Sequence, residues 1–146
     1  MSSSSSTDLD PASALVAGRL AHAFGILAVE AQTAHGEIAR RLGGRRVRIA
    51  IDDEVFDVTA IRGEPRVCEP HGDALVTIAT SRALVRDVLA GRRSVAEAVR
   101  DDSLRARGAL RDLVAVLGAL EAFVHGAVRC KAMPALFREF QTERVA

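Results

Sequence analysis

Residues 73–120 read DALVTIATSRALVRDVLAGRRSVAEAVRDDSLRARGALRDLVAVLGAL, and the changes of period inside this stretch decide the fold. Ala74 to Thr80 is a short apolar run after a turn and reads as a strand. Thr80-Ser81 offers a hydroxyl cap to a helix from Arg82 to Ala90, which stops at Gly91. Ser94-Val95-Ala96-Glu97 is a capping box, in which the serine accepts from the third amide and the glutamate reaches back to the serine N–H. The helix it opens is short, because Leu104 to Arg107 reads as a strand again. Gly108 then precedes a strongly apolar helix from Ala109 to about His125.

Upstream, Val47–Ile51 and Phe56–Ala60 both alternate, with Asp52-Asp53 between them as a hairpin turn. Gly63-Glu64-Pro65 breaks the second strand, Arg66 to Glu69 forms a short third, and Pro70 to Asp73 is the next turn. Links this short predict an antiparallel meander. Further upstream, Asp10-Pro11 has the form of an N-cap followed by proline at the first helical position. A stripe at helical spacing then runs Val16, Leu20, Phe24, Leu27, Ala31, Ala34, Ile38, Leu42, giving a long helix over 12–42 that Gly43-Gly44 ends. Gly18, Gly25 and Gly36 each weaken it by about 1 kcal/mol relative to alanine, so it is expected to be bent or broken. Downstream, a last helix runs from Met133-Pro134 to Glu143 with Leu136, Phe137 and Phe140 on one side. Residues 1–9 are a serine-rich tail with nothing to bury, and are expected to be disordered.

The expected architecture is therefore α+β: a five-stranded, mostly antiparallel sheet covered on one face by helices, with a long N-terminal helix. One domain is expected over 10–146, with a helical extension at 10–43, a core at 47–125 and a C-terminal helix at 132–143. Its 146 residues are enough for one self-sufficient core. The longest uncharged run of the N-terminal helix, Leu20 to Val29, is ten residues, against about 20 for a bilayer span. The N-terminus has neither a basic start nor an apolar stretch, unlike a secretory signal. A cytoplasmic protein without stable membrane insertion is expected, with Cys68 and Cys130 as free thiols rather than a disulfide.

The ordered set of elements in 73–120 resembles the lipid-binding domain of the sterol carrier protein type two family. That family's pattern is an apolar strand, a helix ending in a leucine pair before glycine, a short capped helix carrying an alanine, a strand ending in glycine, and a leucine-rich helix. Here these are Leu75–Ala79, Val88-Leu89-Ala90-Gly91, Ser94 with Ala98, Leu104–Gly108 and Leu110–Leu120, and the resemblance spans about Val47 to Val124. The chain departs from the pattern in its longer N-terminal helix, in Ala109 where an acidic residue is frequent, and in a C-terminus, Glu143 to Ala146, that lacks a peroxisomal address.

The resemblance implies a hydrophobic tunnel between sheet and helices that holds sterols, fatty acids or fatty acyl-CoA without chemistry. The side chains expected to line it are Ile49, Phe56, Val58, Val76, Ile78, Val88, Val99, Leu113, Leu117, Leu120 and Phe123. Helix 109–125 is apolar almost all round and must be covered on most sides. Its small stripe of Ala115, Gly118, Ala119 and Ala122 suits either close helix packing in a plain core or room for a ligand, and both readings stand.

The charge pattern has one concentrated feature, Arg40, Arg41, Arg45, Arg46 and Arg48, five arginines in nine residues. They form either a grip for a phosphate or anionic lipid head, with Arg45 and Arg46 foremost, or a solvated basic loop after a helix C-terminus. Nucleic acid is not an expected partner: net charge is +1, and no tryptophan or tyrosine exists for base stacking. Catalysis finds no constellation. Ser81, Ser94 and Ser103 stand where caps and turns want them, and His22, His35, His71 and His125 are scattered without metal-ligand spacing, although His22 and His125 could meet if the two long helices pack together. No metal, cofactor or enzymatic activity is expected. The expected function is carriage of an apolar ligand. The alternative is a structural or regulatory protein whose cavity is filled, by Phe123, Phe137 and Phe140 among others, and which acts as a homodimer through its N-terminal helix or as the partner of an enzyme.

Overall fold

The computed structural model describes residues 16–142, with side chains as far as Arg138. The expected tail at 1–9, the Asp10-Pro11 helix start, the Phe140 side chain and the end of the last helix at Glu143 lie outside the described residues. In chain order the elements are α1 (Val16–Glu30), α2 (Gln32–Leu42), β1 (Val47–Ile51), β2 (Glu54–Ile61), β3 (Glu64–Cys68), β4 (Val76–Thr80), α3 (Arg82–Leu89), α4 (Val95–Arg100), β5 (Arg105–Arg107), α5 (Leu110–Ala127) and α6 (Met133–Thr142). The five strands form one sheet in the order β3-β2-β1-β4-β5. The α+β architecture with a five-stranded, mostly antiparallel sheet is the one expected.

The meander is where expectation and structure part. The three pairings β1–β2, β2–β3 and β4–β5 are antiparallel, but β4 lies parallel to β1, with Val47 opposite Val76 and Ile49 opposite Ile78. A short link can do this because β3 is staggered along the long strand β2. Cys68 at the end of β3 is opposite Asp57, and Asp57 is opposite Arg48, so β3 ends level with the start of β1 and hence of β4. The chain over 69–75 then has only to step sideways past two strands, a distance of about 14 Å between β3 and β4 at the usual strand spacing.

The break expected at Gly63-Glu64-Pro65 is a tight hairpin. Arg62 and Gly63 both have positive φ, 55° and 79°, as a two-residue type I′ turn needs. Pro65 sits inside β3, paired with Ala60. A proline is tolerated there because β3 is an edge strand with no further ladder to supply. At the other edge β5 is followed by Gly108, where a Cβ would stand 2.7 Å from the Leu75 carbonyl oxygen, so only glycine lets the chain pass so close to the start of β4.

The long N-terminal helix is two helices. It breaks at Ala31, whose φ of −144° and ψ of 63° are not helical, rather than at any of the three glycines. The two helices fold against the helical layer, and their stripe is spent inside the chain: Val16, Phe24, Leu27, Ile38 and Leu42 are all buried. The expected caps are present. Ser81 accepts from the Leu84 amide, and Ser94 and Glu97 close a complete capping box. The first described amides of α1, those of Val16 and Ala17, both donate to the Glu54 carboxylate at 2.9 and 2.8 Å, which ties the helix to the start of β2. Helices cover one face of the sheet. On the other, Thr77, Ala79, Arg105 and Arg107 are exposed.

Candidate functional site

Alternation along the strands sends one set of side chains toward the helices. Val47, Ile49 and Ile51 of β1, Phe56 and Val58 of β2, and Ile78 and Thr80 of β4 form the wall of a cavity of about 180 Å³. Val16, Leu20 and Phe24 of α1 and Ile38 and Leu42 of α2 face them, with Leu84, Val85, Val88 and Leu89 of α3 and Val95 of α4. From α5 come Val116, Ala119, Leu120, Phe123 and Val124, positions that recur every three or four residues as one helix face requires. The cavity is partly enclosed and partly open to solvent, and its lining surface is almost wholly apolar. Among the described lining residues Thr80 alone carries a polar side chain, and its hydroxyl donates to the Ser103 carbonyl at 2.9 Å. Phe24 and Phe123 meet edge to face, with ring centroids 5.9 Å apart.

No protein-family model matches this sequence, and no curated protein does. Solved structures do match by shape. A sterol carrier protein 2 superposes with a TM-score of 0.53 at 16% identity, over 75% of this chain and 94% of that one. A ubiquinone synthesis protein, UbiJ-SCP2, gives 0.51 at 16% identity over 72% and 82% of the two chains. Sterol carrier protein 2 from Yarrowia lipolytica gives 0.50 at 13% identity over 82% and 94%. The chain has the sterol carrier protein fold.

Within that fold, Ile49, Phe56, Val58, Ile78, Val88, Leu120 and Phe123, seven of the side chains named from sequence, border the cavity. Val76, Val99, Leu113 and Leu117 do not border it. Val76 is completely buried at the start of β4, under the close approach of Gly108. Val99 packs on the core one turn beyond Val95, the α4 residue that does line the space. Leu113 shares the inward face of α5 but lies a turn too near the helix start, while Leu117 is turned about 100° from Val116 and leaves the lining arc. The largest omission from sequence was the contribution of α1 and α2. Their stripe was legible, but nothing local shows that it closes over the sheet as part of the cavity rather than standing apart from it.

In the small stripe of α5, a Cβ on Gly118 would meet the Arg41 side chain of α2 at 2.5 Å; the closest helix approach lies beyond the stripe, at Gly126, where a Cβ would meet the Ala34 Cβ at 2.5 Å. Ala119 borders the cavity.

The arginine cluster is engaged within the chain and stands apart from the cavity lining. Arg45 donates to Asp112 at 2.8 Å, fastening the loop after α2 to the first turn of α5. Arg46 donates to Asp57 at 2.7 Å, and Arg48 makes a two-pronged pair with the same carboxylate at 2.9 and 3.0 Å. Arg40 and Arg41 pair with Glu37. Asp57 is fully buried. Burial alone would raise its pKa, but the hydrogen bonds from Arg48, Arg46 and the His71 amide outweigh this and hold it below its ordinary value.

Both cysteines are free thiols. Burial, aided by the charge of Glu30, pushes the Cys130 thiol up, and it is an inert core side chain. His22 and His125 are both exposed. Among the described residues no group of three His, Cys, Asp or Glu side chains could hold a metal ion, and no helix is long and apolar enough to cross a membrane.

Proposed function

We propose that this protein binds an apolar small molecule non-covalently in the cavity and carries it, without performing chemistry on it. The observation that supports this is an open space of about 180 Å³ with an almost wholly apolar lining inside an otherwise complete core, where close packing is the rule. Its described wall carries no histidine, cysteine, carboxylate or amine, and the Thr80 hydroxyl is already committed to Ser103. Binding is therefore driven by removal of apolar surface from water, worth roughly 0.8 kcal/mol per buried methylene. Solved proteins of this fold include ones described as a sterol carrier and as a ubiquinone synthesis protein, which agrees with such a role.

Native mass spectrometry of protein purified from cells, followed by organic extraction, tests the reading. The expected result is a co-purified or exchangeable apolar molecule at one per chain. A protein that neither retains nor takes up any such molecule would falsify it. The filled-cavity alternative draws no support from this geometry. Phe123 forms wall rather than plug, Phe137 packs on the core beyond the described lining, and the N-terminal stripe offered for a dimer is buried within the chain.

A further inference from the structure

The same cavity, on the reading that it holds a ligand, also constrains which part of the ligand it holds. A polar group carried into an apolar space loses its hydrogen bonds to water, and the loss is recovered only if the wall offers partners. This wall offers next to none: Ile49, Ile78, Val116, Leu120 and their neighbours are hydrocarbon, and the Thr80 hydroxyl, whose proton is directed to the Ser103 carbonyl, keeps only acceptor capacity on a lining that is almost wholly apolar. Size sets the second limit. A dry cavity of about 150 Å³ lined by similar side chains takes benzene, so a space of about 180 Å³ takes a segment of roughly six to eight carbons.

We infer that the cavity is a site for a short hydrocarbon segment alone, with any polar group of the ligand left outside its apolar wall. A fused-ring molecule of sterol size exceeds it, and a chain with polar groups at both ends is rejected because one end must be buried without a partner.

Titration of the whole protein with a series of 1-alkanols, followed through the NMR signals of the Ile78, Val116 and Leu120 methyl groups, tests this. Affinity is expected to rise about fourfold per added methylene and to level off near roughly six to eight carbons. At the same length 1,8-octanediol is expected to bind at least about tenfold more weakly than 1-octanol. Equal binding of diol and alkanol, or affinity that keeps rising to sixteen carbons with cholesterol bound as well, overturns the inference while leaving apolar carriage intact. Methyl signals that respond to no member of the series overturn both.

Discussion

At the scale of single residues, Asp57 is the side chain that gathers the crossing segment onto the sheet. It alternates with Phe56 and Val58, which face the cavity, so it points to the opposite face of the sheet. There it accepts from the His71 amide, while Arg48 donates to the Gly72 carbonyl. These bonds hold the 69–75 segment across β2 and β1, which is the crossing that delivers β4 to its parallel place. Removing one partner of a buried ion pair strands the other. Arg46 and Arg48 keep partial access to water, so Asp57→Ala is expected to cost about 3 kcal/mol, the lower end for such a break, read as a fall in the urea midpoint. The pH dependence follows in sign. The folded pKa is depressed, so the contribution of Asp57 is complete above the unfolded carboxylate pKa of about 3.9. It is lost as pH falls through the lower folded value. The wild-type protein should therefore show a steeper loss of stability below about pH 4 than Asp57→Ala, and parallel acid limbs in the two proteins would exclude this assignment.

At the scale of elements, the helical layer is governed by how closely α5 approaches α1 and α2. Gly126 lies where a Cβ would stand 2.5 Å from the Ala34 Cβ and 3.2 Å from Leu27 Cδ2. Gly126→Val must push the helices apart and is expected to destabilise by about 1–3 kcal/mol. Gly25 of α1 has nothing within 4 Å of its Cβ position, and Gly25→Ala is expected to stabilise by about 0.5–1 kcal/mol. Thermal unfolding of the two variants should shift in opposite directions, and a shared sign would contradict this packing. The position of the break in the N-terminal helix was not legible in the sequence: it falls at Ala31, which has no glycine or proline of its own and lies beside the α5 crossing, its Cβ 4.0 Å from the Gly126 Cβ position. What was legible had local causes. Hydroxyl caps at Ser81 and Ser94 and alternation at Val47–Ile51 each carry their reason within a few residues. Pro65 within a strand and β4 beside β1 depend on which strands are at the edge and on the stagger of β3, and neither is written locally.

At the scale of the whole molecule, the sheet divides the chain into a helical side enclosing apolar space and an outer side fastened by ion pairs. The sequence distinguished these sides by alternation, which placed Ile49, Phe56, Val58 and Ile78 on the cavity face, but it passed over Val47 and Ile51 on the same face of β1. It could not fix how far along α5 the cavity extends, because that helix is apolar on nearly every face, and so Leu113 and Leu117 read the same as Leu120. Ala119 is the position where an empty core and a binding site give different results. It is nearly fully buried and borders the cavity, so Ala119→Leu adds three carbons pointing into open space. If the space were only a packing defect, filling it would raise stability, by about 1 kcal/mol once strain is set against burial, and change nothing else. If the space holds a ligand, the same substitution also removes room for about half of a six-to-eight-carbon segment, and 1-octanol affinity should fall more than tenfold at about 0.8 kcal/mol per methylene. A ligand that binds only the folded protein raises its melting temperature in proportion to occupancy. Saturating 1-octanol should therefore raise the melting temperature of the wild type and leave that of Ala119→Leu nearly unmoved, although the variant starts higher. An equal ligand-induced rise in both proteins would place binding elsewhere on the molecule.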